Sequence, residues 1–116
     1  MTHKDLDVWK KSMDLVVEVY KLMLKMPANE QYGLSSQIKR SVVSVPSNIA
    51  EGAGRSSTRE FIRFLDIATG SLSELETQLI LVNRLGFCDI EEIQEKRIKD
   101  INQMLFRLKQ SLKKKL

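Results

Sequence analysis

A chain of 116 residues, 42% of them hydrophobic, with only five glycines and two prolines, is expected to fold as one domain, residues 1–116, around a single core; this composition excludes a disordered or loop-rich chain. The lone Cys88 excludes an internal disulfide, the lack of an apolar run of about 18 residues excludes a membrane span, and the absence of an N-terminal apolar leader points to a cytoplasmic protein. The net charge of +4 is uneven, because residues 96–116 hold eight basic side chains and one acidic one, a local +7 against −3 for the rest, so the last helix carries the basic character.

The apolar spacing predicts a first helix from Asp5 to Lys25 with two stripes. Leu6, Trp9, Met13, Val16, Tyr20 and Met23 form one at steps of three and four; Val8, Leu15, Val19, Leu22 and Met26 form another on the adjacent face. The first is assigned to the bundle, and Val8, Leu15, Val19 and Leu22 become candidates for contact with another subunit. Pro27 ends the helix, and Ser35 or Ser36 is the expected N-cap of the second.

In the second helix Ile38, Val42, Val45, Ile49 and Gly52 share a face flanked by Ser41, Ser44, Ser47 and Asn48. Pro46 interrupts it by removing the amide that would bond the Val42 carbonyl. The pattern resumes at Ile49, which favours a helix kinked at Pro46 over one that stops at Val45, with Ser44 or Ser47 placed to bond a freed carbonyl. Gly52 and Gly54 suit left-handed angles at the helix end.

Ser57, with Glu60 three residues on, makes a capping box for the third helix. Phe61, Leu65, Ala68, Leu72, Leu75, Leu79 and Val82 form its seam, and Gly86 closes it. Ile62, Phe64, Ile67, Ile80 and Leu81 lie off the seam, of which Ile67 and Leu81 join the candidate subunit interface. Close backbone approach is the expected reason for Gly70. Asp89 and Glu92 form a second capping box, and Ile98, Ile101, Leu105, Leu108 and Leu112 are the seam of the fourth helix. Short connections make this an all-α fold, an antiparallel up-down-up-down four-helix bundle.

The chemistry of an enzyme is missing from this pattern. A di-metal carboxylate bundle needs Glu-x-x-His pairs, yet His3 is the only histidine and precedes the first helix, so no metal site and no cofactor are expected. No base partners Cys88 or a serine, so no catalytic residue is assigned. The run Gly52 to Ser57 has the parts of an anion cradle but lacks the lysine of a phosphate loop and reads as a tight turn. Arg55, Arg59 and Arg63, at steps of four, would share a face and meet either acidic neighbours such as Glu60 and Asp66 or phosphates. Glu51, Glu74 and Asn48, set among small or apolar residues, are expected to be partly buried in structural hydrogen bonds.

The segment SVPSNIAEGAGR, preceded by Gln37, Lys39 and Arg40 and followed by EFIRFLDIATGSLSELETQL, resembles the four-helix-bundle family of bacterial intervening-sequence proteins, first noticed in insertions within large-subunit ribosomal RNA genes. The likeness runs from the Leu6 to Trp9 region through Gly86, while the last helix matches only in pattern; Ser41 and Val42 stand where family members often carry alanine or serine. The resemblance implies a bundle assembled into a homopentameric ring and a link to RNA or to nucleic acid generally; a related bundle is the accessory factor of diversity-generating reverse transcriptases. It supplies no catalytic residues. Arg40, Ser44, Pro46, Asn48, Glu51, Gly52, Gly70, Ser71 and Glu74 read as fold and assembly determinants.

The expected function is therefore that of a non-enzymatic homo-oligomer that binds RNA or DNA through a basic surface. Arg55, Arg59, Arg63, Lys96, Lys99, Phe106, Arg107, Lys113, Lys114 and Lys115 are the candidate contacts. The alternative is a structural or adaptor bundle that binds a protein partner through apolar helix faces.

Overall fold

A serine decides how the first helix packs. In the computed structural model, which describes residues 2–91 and 93–116 and all their side chains but those of Gln94 and Glu95, α1 spans Asp7–Met23 and buries Val8, Ser12, Leu15, Val19 and Leu22. With Ser12 included, these residues step four, three, four, three along one face. The Ser12 hydroxyl is fully buried because it donates to the Val8 carbonyl at 2.7 Å within the helix. Met13, Val17 and Tyr20 lie outside, 42%, 53% and 42% exposed. The stripe expected at a subunit interface is thus core: Val8, Leu15, Val19 and Leu22 are buried and cannot form that interface, while of the stripe assigned to the bundle Met23 is buried, Leu6, Trp9 and Val16 pack against the core, and Met13 and Tyr20 face outward. Ile67 and Leu81 do lie on the surface.

After 3-10 turns at His3–Asp5 and Ala28–Glu30 come α2 (Leu34–Ala53), α3 (Thr58–Arg84) and α4 (Lys99–Lys113), with no strand among the described residues. The N-cap of α2 is Gly33 rather than Ser35 or Ser36; Ser35 is buried inside the first turn, and the Glu30 carboxylate accepts from the Leu34 amide at 3.3 Å. α2 continues through Pro46, so the chain does not stop at Val45. Ser44 turns its hydroxyl to Ser71 at 2.8 Å rather than to a carbonyl freed by the proline. Ile38, Val42, Val45 and Ile49 are fully buried.

No residue of the turn after α2 takes a positive φ. Gly52 remains inside the helix, and Gly54 has φ −83°, so left-handed angles are not what these glycines supply. Gly52 is needed for space: a Cβ there would stand 2.7 Å from Phe64 Cβ and 3.2 Å from the Phe61 carbonyl oxygen. Gly70, in contrast, has nothing within 4 Å, and the expected close approach is not made within this chain.

Ser57 caps α3 by accepting the Glu60 amide at 3.1 Å. The Glu60 carboxylate does not complete the box; it lies 3.5 Å from Arg63. The α3 seam is buried from Leu65 to Val82. At its end Gly86, at φ 76°, lets the Phe87 amide reach back to the Val82 carbonyl and its own amide reach Asn83, a Schellman closure. The box expected at Asp89 and Glu92 falls on a residue outside those described; Asp89 itself accepts the Glu91 amide. A π-helical turn, Ile93–Ile98, leads into α4. The five-residue step from Ile93 to Ile98 fits that wider turn, which keeps both against the core before Ile101 and Leu105 resume the α spacing.

Ser41 meets Glu74 and Gly52 meets Phe61 and Phe64, so α2 and α3 run in opposite directions, and Asp66 and Thr69 meet Lys109 between α3 and α4. α1 packs on α2 and α4, as α3 does, which sets α1 and α3 at opposite corners. No described helix is long and apolar enough to cross a membrane.

Candidate nucleic-acid interface

The basic residues of the last two helices do not form one surface. Arg59 and Arg63, on the first turns of α3, line a groove with Ile62, Asp66, Lys113 and Leu116. The groove extends towards a second depression, where Phe106, Arg107, Asn102 and Gln103 of α4 face Thr69 of α3. Lys109 lies between them. Its side chain is only 15% exposed, and its ammonium donates to Asp66 at 3.1 Å and to Thr69 at 3.3 Å. The Asp66 carboxylate is therefore answered by a lysine, and Arg59, Arg107 and Lys113 have no ion pair among the described residues. Phe106 is 60% exposed on an otherwise polar helix face.

Arg55 does not continue the row of Arg59 and Arg63, because it precedes α3. It lies 4.8 Å from the centre of the Phe64 ring and 3.8 Å from Glu51, while Arg63 reaches the same ring at 5.9 Å. Phe64 thus holds both guanidiniums, and the carboxylates of Glu51 and Glu60 offset part of their charge. Glu51 is exposed rather than buried. Lys96 and Lys99 are not among the residues that line either depression, and with a rise of about 1.5 Å per residue Lys99 is roughly 20 Å from Lys113 along α4. Between those two lysines Arg97 is bound to Glu18 of α1 at 2.8 Å. Lys114 and Lys115 are exposed beyond the end of α4.

The turn from Gly52 to Ser57 cannot act as an anion cradle at its first glycine, since Phe61 and Phe64 cover it. Among the described residues no three His, Cys, Asp or Glu side chains are grouped as metal ligands. Between α2 and α3 a polar seam replaces apolar contact. Ser41 donates to Glu74 at 2.6 Å, Ser44 and Ser71 share a hydrogen bond, and the Asn48 amide donates to both the carbonyl and the hydroxyl of Ser44. The Ser41–Glu74 and Ser44–Ser71 bonds join the two longest helices, and Asn48, bonded within α2, holds Ser44 in place for its part.

The match to the family model for the 23S rRNA-intervening sequence protein covers residues 4–110. The chain belongs to this family. A solved structure agrees with the fold: a crystal structure of a protein of unknown function from the S23 ribosomal protein family of Bacteroides thetaiotaomicron is 31% identical, with a TM-score of 0.78 over 89% of this chain and 95% of that one. No curated protein matches the chain. The family model ends before Lys113, Lys114 and Lys115, so the basic end of this intervening-sequence protein lies outside the matched span.

Sequence spacing missed Lys109, whose partners lie 43 and 40 residues away. It also missed a groove of about 590 Å³ between α1 and α2, lined by Tyr20, Tyr32, Lys39 and Arg40 among others. Neither signal is periodic. Both arise only when helices meet.

Proposed function

We infer that this intervening-sequence protein is a non-enzymatic homo-oligomer that binds RNA or other nucleic acid along the groove between α3 and α4. The convergence of Arg59, Arg63 and Lys113 on that groove supports the reading, because cations drawn from segments about 50 residues apart meet where a phosphate backbone could follow them. The flat, exposed ring of Phe106 further along the same side offers an unpaired base a stacking surface. Lys113 to Lys115 add charge at the groove's end, and several copies in one assembly would sum weak contacts.

Self-association rests on exposed apolar surface at opposite corners of the bundle. On α1, Met13, Val17, Tyr20 and Leu24 form an outward stripe, with Leu24 85% exposed; on α3, Ile67 and Leu81 flank the uncovered backbone at Gly70. Two different faces on opposite sides suit a head-to-tail contact, which closes into a ring when the rotation between copies allows, as in the pentamer that the family resemblance implies.

Fluorescence anisotropy of a labelled single-stranded RNA, titrated with the protein across a salt series, tests the binding reading. Affinity falling linearly on a log scale as salt rises is the expected result. Absence of binding at low salt, or affinity indifferent to salt, overturns it in favour of an adaptor that docks a protein on its apolar faces.

A further inference from the structure

We propose that the groove between α1 and α2 is a second ligand site, one that takes a nucleotide unit by stacking its base on Tyr32 and holding its phosphate with Lys39 and Arg40. This site does not rest on the α3–α4 groove. Arg55, Arg63, Arg97 and Lys109 each face a carboxylate, whereas Lys39 and Arg40 have no ion pair among the described residues. No acidic side chain is among the residues that line the groove. The carboxylate of Glu30, one residue before Gln31, accepts the Leu34 amide at the start of α2.

Positioning comes from Tyr20, whose ring centre lies 5.1 Å from the Lys39 ammonium. That contact holds a flexible lysine at the groove's edge at little cost to its charge. Arg40 follows on the next position of α2, and its planar fork suits phosphate oxygens. Tyr32, in the connection before α2, is 91% exposed, so a ring that the fold does not use for packing lines the same groove as Lys39 and Arg40. Gln31 and Ser36 add an amide and a hydroxyl for the edges of a base or sugar. An exposed aromatic face beside positive charge is the combination that recognises a base together with its phosphate, and it does so without reading sequence.

The probes are 2-aminopurine riboside 5′-monophosphate, the same nucleoside without phosphate, and a short single-stranded oligonucleotide with an internal 2-aminopurine; stacking quenches the fluorescence of each. The intact protein is expected to quench the monophosphate at lower concentration than the nucleoside. Tyr32→Ala should weaken this by roughly fivefold or more, the lower end of what one base stack contributes, and Tyr32→Phe should restore it. Arg40→Gln should weaken the monophosphate and leave the nucleoside unchanged. Helicity is checked in each variant, and Tyr32 and Arg40 are exposed enough to be changed without touching the core. Quenching of the free monophosphate identifies a mononucleotide ligand, and quenching of the strand alone identifies a polynucleotide; both support the site. Equal binding of nucleoside and monophosphate, an unchanged Tyr32→Ala variant, or no quenching of any probe overturns it. An Arg59→Gln, Lys113→Gln double variant should bind the monophosphate as the parent does, and loss there would move the site to the other groove.

Discussion

Gly52 of α2 lies so close to Phe64 of α3 that a Cβ added to the glycine would stand 2.7 Å from the Phe64 Cβ. The obstacle is the root of a buried contact and the Phe61 backbone, neither of which can swing aside. Gly52→Ala should therefore destabilise the fold despite the better helix propensity of alanine. A loss of about 1–3 kcal/mol is expected for forced overpacking, read as a lowered midpoint in urea. Gly70→Ala is the matched control, because nothing lies within 4 Å of it. In the isolated chain it should stabilise by up to about 1 kcal/mol, and if it also weakens self-association, the open backbone at Gly70 is part of the contact between copies.

The burial of Leu15 on α1 makes a second prediction. Leu15→Glu places a carboxylate at a position with no exposure and should unfold the protein, seen as lost helicity at 222 nm, on the order of several kcal/mol of destabilisation. Val17→Glu with Leu24→Glu changes only exposed positions and should leave the circular dichroism intact while light scattering shows smaller particles. Dissociation by a folded Leu15→Glu variant would reverse this assignment of the two faces.

Pro46 is buried within a helix that continues past it on both sides. The missing amide leaves the Val42 carbonyl without its helical partner, so Pro46→Ala should raise the stability of the chain, by up to about 3 kcal/mol. If the proline also bends α2, the same variant should weaken self-association by turning Asn48 to Gly54. Sedimentation against concentration reads that directly, and an unchanged association constant would show the proline to be incidental to assembly.

Cys88 is half-buried, with its thiol 3.9 Å from the Leu22 carbonyl. Burial pushes its pKa up from the usual thiol value, and the charge of Lys25 only partly opposes this. The raised pKa means that the folded state disfavours the thiolate, so this term stabilises below the ordinary thiol pKa and is lost as pH rises through the folded value. Native protein should react with iodoacetamide at pH 8 several-fold more slowly than urea-unfolded protein. Equal rates would contradict the burial.

How much of this was legible in the sequence follows from which contacts are local. The α3 seam from Phe61 to Val82 and the Schellman glycine at Gly86 are written in spacing and turn chemistry, and the structure reproduces both. The α1 seam was misread because Ser12 interrupts its apolar pattern; only the hydrogen bond to Val8 shows how a hydroxyl can occupy a core position. Gly52 and Gly70 look alike in sequence, and only the neighbouring helix separates one that must be small from one that faces open space. Charge was the least legible. The pairing of Lys109 with Asp66 and the company of Tyr32, Lys39 and Arg40 come from helix packing across long sequence separations.

If the α3–α4 groove holds a phosphate backbone, charge variants within it must change the salt dependence of binding. Affinity for a labelled single-stranded RNA is measured by anisotropy across a salt series for the parent, for Arg59→Gln with Lys113→Gln, and for Lys96→Gln with Lys99→Gln, after light scattering confirms the same assembly in each. Each lost phosphate contact on a single strand flattens the log–log slope by about 0.7. The groove variant should therefore lose about 1.4 from its slope per engaged chain, and the variant at the far end of α4 should keep the parent's slope. A slope unchanged in the groove variant, or flattened only at Lys96 and Lys99, would contradict the account.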